Sequence, residues 1–426
     1  MHAHFRPTPI PGSCGRKAEH SLEQTGPPPD LGGYGSWGQS VRRNSGRDAD
    51  QAKHPPARRC DASNWAARGA FLLWAMVLLL NNTATARDVF TKLKPDEQLI
   101  FYPALAQRVG ADSWRVELHG CIFEPEPRRV MLALLRDTLE LKDVELSPAE
   151  QKTFDARARL FLVDHERRKR VFIRLGAEGF SAGRTGADGK FSGRILLRDT
   201  TSLQQQTDSA SVLPFKAVLA SDDPRNIAGD IFLLEDEGVS IISDLDDTIK
   251  ITEVRDRRAT LRNTFLREFE PVPGMAEFYQ TLARSKGVAF HYVSASPWQL
   301  YPPLADFIPA QGFPRGTFHL KEFRWKDRSF FSLFSNPEEY KLGVIEPLLK
   351  RFPNRRFLLI GDSGERDPEI YATLARKYPR QIERIYIRDV SDEPAEADRY
   401  GKTFANLPRT LWQVFREPAE IKVAPQ

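Results

Sequence analysis

Cysteine is nearly missing, with only Cys14, Cys60 and Cys121 in 426 residues, which excludes a disulfide scaffold and any cysteine-rich zinc centre. Histidine is scarce as well. Of eight, His2, His4, His20 and His54 fall in the first sixty residues, leaving His119, His165, His291 and His319 for everything that follows. Chemistry that needs a histidine cluster is therefore disfavoured. A dominant charge is lacking too: the formal net charge is +5, but residues 87–426 hold 52 Lys+Arg against 51 Asp+Glu. That part has no overall basic field of the kind that attracts nucleic acid.

What is present falls into segments. Residues 1–69 contain 8 Pro and 9 Gly and keep no hydrophobic period, which predicts a disordered tail. The apolar run Ala70–Leu80 follows Arg58, Arg59 and Arg68 and precedes the small residues Ala84 and Ala86. A basic flank, a short apolar stretch and a small-x-small site over 70–86 read as an export signal, either cleaved or kept as an anchor. The run would span only about 16 Å as a helix, against a hydrocarbon core of about 30 Å. The long tail ahead of such a signal predicts a true start further downstream, and an exported, extracytoplasmic or periplasmic location. Cys121 alone remains beyond Ala86, so export would need no disulfide.

Residues 97–235 read as a β-rich accessory region. Trp114–Phe123, Arg159–Val163, Arg170–Leu175 and Ile195–Leu197 are strand-like runs, and Gly183, Gly186 and Gly189 supply turns. Short strands separated by glycine turns predict a β-sandwich-like, immunoglobulin-type domain with a helix inserted over Val130–Leu139. No catalytic constellation is visible there.

From Gly238 the pattern changes. Apolar runs of four to six residues alternate with helical segments, and each ends at a polar residue: Val239–Ser243 at Asp244, Val288–Val293 at Ser294, Arg356–Ile360 at Gly361-Asp362, Arg384–Ile387 at Arg388-Asp389. Near-continuous apolar strands between helices predict an α/β domain over 236–415 with a parallel sheet covered on both faces. Ligands of such sheets bind beyond the carboxyl ends of the strands, where these polar residues lie.

The stretch Ser243-Asp244-Leu245-Asp246-Asp247-Thr248-Ile249-Lys250 packs three carboxylates at one strand end, and Gly361-Asp362-Ser363-Gly364-Glu365-Arg366-Asp367 adds more at another. Like charges so placed call for a positive partner, and hard oxygen donors suit Mg²⁺. With Ser294 at a strand terminus and Lys341 near a helix start, the set is a phosphoryl-transfer kit: nucleophilic carboxylate, acid/base carboxylate, hydroxyl, ammonium and metal site. Pro347 predicts a kink or restart in the helix that carries Lys341, and Lys321, Lys326 and Lys350 are competing ammonium groups.

DLDDTIK (244–250), YVSASPWQLY (292–301), EEYK (338–341) and FLLIGDSGERDPEIY (357–371) together resemble the haloacid dehalogenase superfamily. Within it they resemble the bacterial relatives of the actin-patch-type phosphatidate phosphatase, whose DxDxT motif is shared with the lipins. The likeness covers about 230–400. It implies a Rossmann-type fold with a minimal cap, and these roles. Asp244 attacks phosphorus and binds Mg²⁺. Asp246 is the acid/base, with its backbone carbonyl on the metal. Ser294 and Lys341 hold phosphoryl oxygens, Asp362 binds Mg²⁺ with Asp367 behind it, and Thr248 braces the loop through a hydroxyl–backbone bond. Asp247 reads more simply as a loop residue.

Between Thr248 and Ser294 lie 45 residues, and between Ser294 and Lys341 lie 46. The first gap predicts one helix over Ala276–Ser285 and a charged flap carrying Arg255, Arg257, Arg258 and Arg262. Gaps this short leave an open site, suited to phosphate on a membrane lipid or macromolecule. The basic-aromatic stretch His319–Lys326 reads as a solvated loop or a headgroup contact. The implied activity is Mg²⁺-dependent phosphomonoester hydrolysis through an aspartyl-phosphate, with phosphatidate the leading substrate. A non-lipid phosphomonoester and a catalytically silent envelope-binding protein are the alternatives.

Overall fold

A computed structural model of the chain describes residues 89–126, 129–198, 205–206, 211–285, 287–323 and 337–421. The expected tail over 1–69 and the signal or anchor over 70–86 lie outside the described residues. The described residues fall in one compact unit. Among the described residues no helix is long and apolar enough to cross a membrane.

The β-rich region comprises β1 (Gln98–Phe101), β2 (Ala104–Gly110), β3 (Ser113–Pro125), α1 (Arg129–Thr138), α2 (Pro148–Ala158), β4 (Val163–His165), β5 (Arg170–Leu175), β6 (Glu178–Arg184), β7 (Lys190–Arg198), β8 (Gln205–Gln206), β9 (Ser211–Ala217) and β10 (Ala228–Leu234). The inserted helix lies where its apolar spacing predicts. The sandwich expectation is only coarsely met, because these strands hydrogen-bond into one ten-stranded sheet rather than two. The reason is β3, whose 13 residues pair with β1 and β2 along one edge and with β4 and β7 along the other. Of the run Arg159–Val163 only Val163 is in a strand; the preceding residues are a turn that closes α2. Helix α2 begins at a capping box, in which Ser147 and Glu150 bond each other's backbone N–H, a signal present in the sequence but not exploited above.

The second region adds β11 (Val239–Ser243), α3 (Arg257–Phe265), α4 (Met275–Ala283), β12 (Ala289–Pro297), α5 (Tyr301–Ala310), β13 (Thr317–Lys321), α6 (Pro337–Arg351), β14 (Arg356–Asp362), α7 (Asp367–Lys377), β15 (Ile382–Arg388), α8 (Asp398–Thr403) and β16 (Trp412–Phe415). Six strands form a wholly parallel sheet in the order β13-β12-β11-β14-β15-β16. The α/β expectation with a parallel sheet is met. Alternate residues of the central strand serve opposite layers: Ile241 packs in one apolar cluster with α3, α4 and α5, and Ile242 in another with α6 and α7. Fully burying such a side chain is worth about 1.5–3 kcal/mol, which makes a one-residue slip prohibitive.

Three expectations need correction. The charged flap is helical from Arg257 to Phe265, because Asp256 caps it by accepting from the N–H groups of Arg258 and Ala259. Pro347 does not break its helix; α6 continues to Arg351. Strand β12 runs past Ser294 to Pro297, with a register irregularity between those residues. Strands β13 and β16 were not anticipated. Within the stretch His319–Lys326, residues 319–321 belong to β13, and Arg324, Trp325 and Lys326 lie outside the described residues.

Candidate active site

The carboxyl ends of β11, β12 and β14 meet the start of α6 at one place. Asp244 follows β11 directly, and its backbone N–H donates to Ile360 O on β14 at 2.9 Å, so the chain leaves the sheet toward Asp362. A tight turn follows, with the Ile249 and Lys250 N–H groups both donating to Leu245 O at 3.0 Å. Asp247 adopts φ 56°, left-handed backbone that Asp tolerates better than most residues. Its carboxylate accepts from the N–H groups of Thr252 (2.7 Å), Glu253 (2.8 Å) and Val254 (2.6 Å), and its carbonyl accepts from Arg388 Nη1 at 2.7 Å.

Asp247 is therefore the brace of the loop. Thr248 is not: its hydroxyl is buried and has no hydrogen-bond partner among the described residues. The expectation for Thr248 fails because the backbone donors nearby are already taken by a stronger, charged acceptor.

Lys341 enters the site, while Lys326, one of the lysines weighed against it, lies outside the described residues. Buried to 1 % exposure, Lys341 places its Nζ 2.8 Å from Asp244 Oδ1, 2.5 Å from Asp367 Oδ1 and 3.1 Å from Glu365 Oε2. Burial works against its charge, but those three carboxylates win and hold it protonated well above the ordinary lysine value. Lys350, by contrast, is exposed and pairs with Glu346.

One ammonium does not balance the site. Burial first, then Asp367, Asp362 and Glu365, push the Asp244 carboxyl well above its ordinary value, with Lys341 opposing. Burial and the Asp367 and Glu365 charges do the same to Asp362. Asp362 Oδ1 accepts from the Gly364 and Glu365 N–H groups, at 2.6 and 3.3 Å. Asp244 Oδ2 and Asp362 Oδ2, both buried, have no hydrogen-bond partner among the described residues. One carboxylate oxygen each from Asp244, Asp362 and Asp367 lie within 4.8 Å of one another. Three buried oxygen donors, two with unspent lone pairs, fit the needs of a hard divalent cation.

Asp246 sits in a different environment, and its carboxylate is not part of that triad. Its Oδ1 lies 2.7 Å from Lys250 Nζ and accepts from Thr252 Oγ1 at 2.8 Å. Its Oδ2 accepts from Ser294 Oγ (2.8 Å) and Ser296 Oγ (3.0 Å). Burial would raise its carboxyl, but Lys250 and these hydroxyls hold it well below the ordinary value. Asp244 and Asp246, two residues apart on one turn, are thus shifted in opposite directions by their surroundings. Ser294 reaches the site as expected but spends its proton on Asp246. Lys250, Ser296 and Thr252 are site residues that the sequence does not single out, and Glu365, one of the carboxylates of the 361–367 stretch, joins them. Lys250 and Ser296 lay inside quoted motifs, yet only the fold turns them toward Asp246.

Gly361 is forced by this packing. A Cβ there would stand 2.2 Å from Asp367 Oδ2.

Residues 239–389 match the family model described as the catalytic domain of phosphatidate phosphatase APP1. Over 188 residues the chain is 36% identical to phosphatidate phosphatase APP1 of Saccharomyces cerevisiae, covering 43% of this chain and 31% of that protein. Over 165 residues it is 30% identical to an uncharacterized protein of Schizosaccharomyces pombe, covering 38% of this chain and 27% of the other. The chain thus matches less than a third of the length of these curated relatives. The matched segment begins at β11 and ends at Asp389, just past β15, so it contains the site carboxylates together with Lys250 and Lys341. By that match, residues 239–389 are similar to a phosphatase catalytic domain.

Proposed function

We propose that this chain hydrolyses the phosphomonoester of phosphatidate at a membrane surface, giving diacylglycerol and inorganic phosphate, with Mg²⁺ as cofactor. The observation that carries the reading is the meeting of Asp244, Asp362 and Asp367 around Lys341, two of them with an unspent buried oxygen. The domain is read as a member of the haloacid dehalogenase superfamily, with the motif order and the parallel sheet in support. Export and extracytoplasmic location rest on the 70–86 segment alone.

Asp244, Asp362 and Asp367 would hold Mg²⁺, with the Asp246 carbonyl as a further donor. Bound there, the ion supplies positive charge against the phosphoryl oxygens and keeps Asp244 ionised. In the first half-reaction an Asp244 oxygen attacks phosphorus. The bond to the leaving oxygen breaks, Asp246 gives that oxygen its proton, and an aspartyl-phosphate forms. In the second, Asp246 takes a proton from water, which attacks the phosphoryl group and frees Asp244. The Lys250 contact suits Asp246 to this second role. The first requires that contact to loosen, so that Asp246 can carry a proton. Lys341 holds Asp244 in place and offsets its charge. Ser294 orients Asp246 and is a donor within reach of the same loop.

The test is phosphate release from phosphatidate vesicles against soluble sugar, nucleotide and phosphopeptide monoesters, each with Mg²⁺ and with chelator. Vesicle hydrolysis that stops on chelation is the expected result. Faster turnover of a soluble monoester would move the substrate to the non-lipid class, and no turnover of any would favour the silent binding protein.

A further inference from the structure

The flap that carries α3 leaves the α/β region and returns to it at one point. The Ile251 N–H donates to Glu270 O and the Val272 N–H to Ile249 O, both at 2.9 Å, and Lys250 is bridged to Pro271 between them. Helix α2 of the β-rich region grips this flap. Arg157, buried to 4 % exposure, donates through Nη1 to the carbonyls of Asn263 (3.3 Å) and Thr264 in the last turn of α3. Those carbonyls have no partner within the helix, and a cation suits the negative end of its dipole. Arg262 on Glu150 at 2.8 Å and the Thr153 hydroxyl on Glu268 at 3.3 Å add to the grip.

Two short routes run from Arg157 to one oxygen of Asp246. In the first, the Arg157 guanidinium stands 3.9 Å over Phe269 and the Lys250 ammonium 4.8 Å over the same ring, while Lys250 Nζ lies 2.7 Å from Asp246 Oδ1. In the second, Asn263 Nδ2 donates to Thr252 O at 3.2 Å, and Thr252 Oγ1 donates to Asp246 Oδ1 at 2.8 Å. Phe269, Lys250, Thr252 and Asn263 are all buried, so a shift in one is passed to its neighbours. The β-rich region, which has no catalytic constellation of its own, thus reaches the carboxylate by packing.

We propose that Arg157 is a positioning residue for the acid/base step. By fixing Phe269 and the end of α3 it holds Lys250 and Thr252, and through them Asp246, at the place the leaving oxygen requires. This role rests on the hydrolase reading above, in which Asp246 gives that oxygen its proton.

A leaving group that departs readily needs little help from an acid, so misplacing Asp246 costs most on a poor one. The measurement is kcat/KM, which ends with loss of the leaving group and leaves the later attack of water out. On phosphatidate in detergent micelles, kcat/KM per folded molecule should fall at least roughly tenfold in Arg157→Gln and in Phe269→Leu, and on 4-nitrophenyl phosphate by no more than about twofold. Because both residues act on one route, the double variant should lose about as much as either alone. Phe269→Leu, an apolar exchange, carries the same expectation if Arg157→Gln fails to fold. Equal losses on the two esters, undiminished phosphatidate turnover, or losses that multiply in the double variant overturn the proposal and leave the hydrolase reading standing. An unaltered chain that does not hydrolyse phosphatidate overturns both.

Discussion

The two regions of this molecule bury charge on different terms. In the β-rich region Glu97 is fully buried, but Lys169 lies 2.6 Å away and the Lys94 N–H donates to it at 2.7 Å. Arg157, also buried, donates to the carbonyls of Asn263 and Thr264 and stands 3.9 Å over the Phe269 ring. Each charge there has its own partners. At the carboxyl edge of the parallel sheet, Asp244, Glu365 and Asp367 crowd one ammonium with Asp362 beside them, and two oxygens are left over. Burying a charge is tolerable when it is paired and hydrogen-bonded, and costly otherwise. The first arrangement is what folding alone would keep; the second stores a cost that protonation or a bound cation would relieve.

Four changes would break or sharpen that contrast. The largest effect is expected for Asp244→Asn, which removes the attacking oxygen and should cut phosphate release by roughly 10⁴-fold or more with the fold intact by circular dichroism. Activity left near its original level would show that another group attacks. In the β-rich region Glu97→Gln should instead cost stability, about 2–3 kcal/mol, because Lys169 loses its buried partner while staying partly exposed. Its denaturation midpoint should drop with hydrolysis per folded molecule unchanged. Gly361→Ala, whose methyl group would collide with the Asp367 carboxylate, should weaken metal binding and turnover by about 10–100-fold. Unaltered metal affinity there would count against a place for Asp367 in the cluster.

The smallest effect has an unusual sign. Asp362→Asn should raise stability by about 1 kcal/mol in chelator, since it removes an unpaired buried charge but keeps an acceptor for the Gly364 and Glu365 N–H groups. The same logic fixes the pH dependence. Asp244 and Asp362 have folded pKa values above their unfolded ones, so the folded chain binds more protons and gains stability as pH falls from neutral toward about 4. Asp246, held low, opposes this only once pH drops below the usual carboxylate range, where its contribution is lost. The imidazoles of His119, His165, His291 and His319, all lowered by burial, work the other way below about pH 6.5, so the cluster is read by comparison. In chelator, acidification from about pH 8 to about pH 5 should favour the melting point of the unaltered chain more than that of Asp362→Asn, and Mg²⁺ should remove that difference. Equal slopes for the two chains in chelator would show that the cluster is already balanced.

Legibility in the sequence followed the range of the interaction concerned. The central strands could be read because four or five consecutive apolar residues ending at a polar one are a local pattern, and β11, β14 and β15 lie where it predicts. Strand β13, with His319 between apolar neighbours, shows no such run, and β16 is too short to declare itself. The helix over Arg257–Phe265 was hidden by its arginines, although Asp256 offered a cap. The single sheet of the β-rich region was out of reach, because β3 reads identically whether it has one pair of neighbours or two.

The amino-acid order alone determined that carboxylates and a serine would stand at the ends of parallel strands, with a lysine near the start of a helix, since hydrophobic runs and their polar terminators need only near neighbours. Which carboxylate faces which was decided by tertiary structure. Asp362 lies over a hundred residues from Asp244 in the chain, and only the β11–β14 pairing brings their unspent oxygens together. The same holds for Lys250 against Asp246 and for Asp247 in place of Thr248 as the brace. Electrostatic and steric terms depend on distance through space, and one-dimensional spacing does not encode that distance.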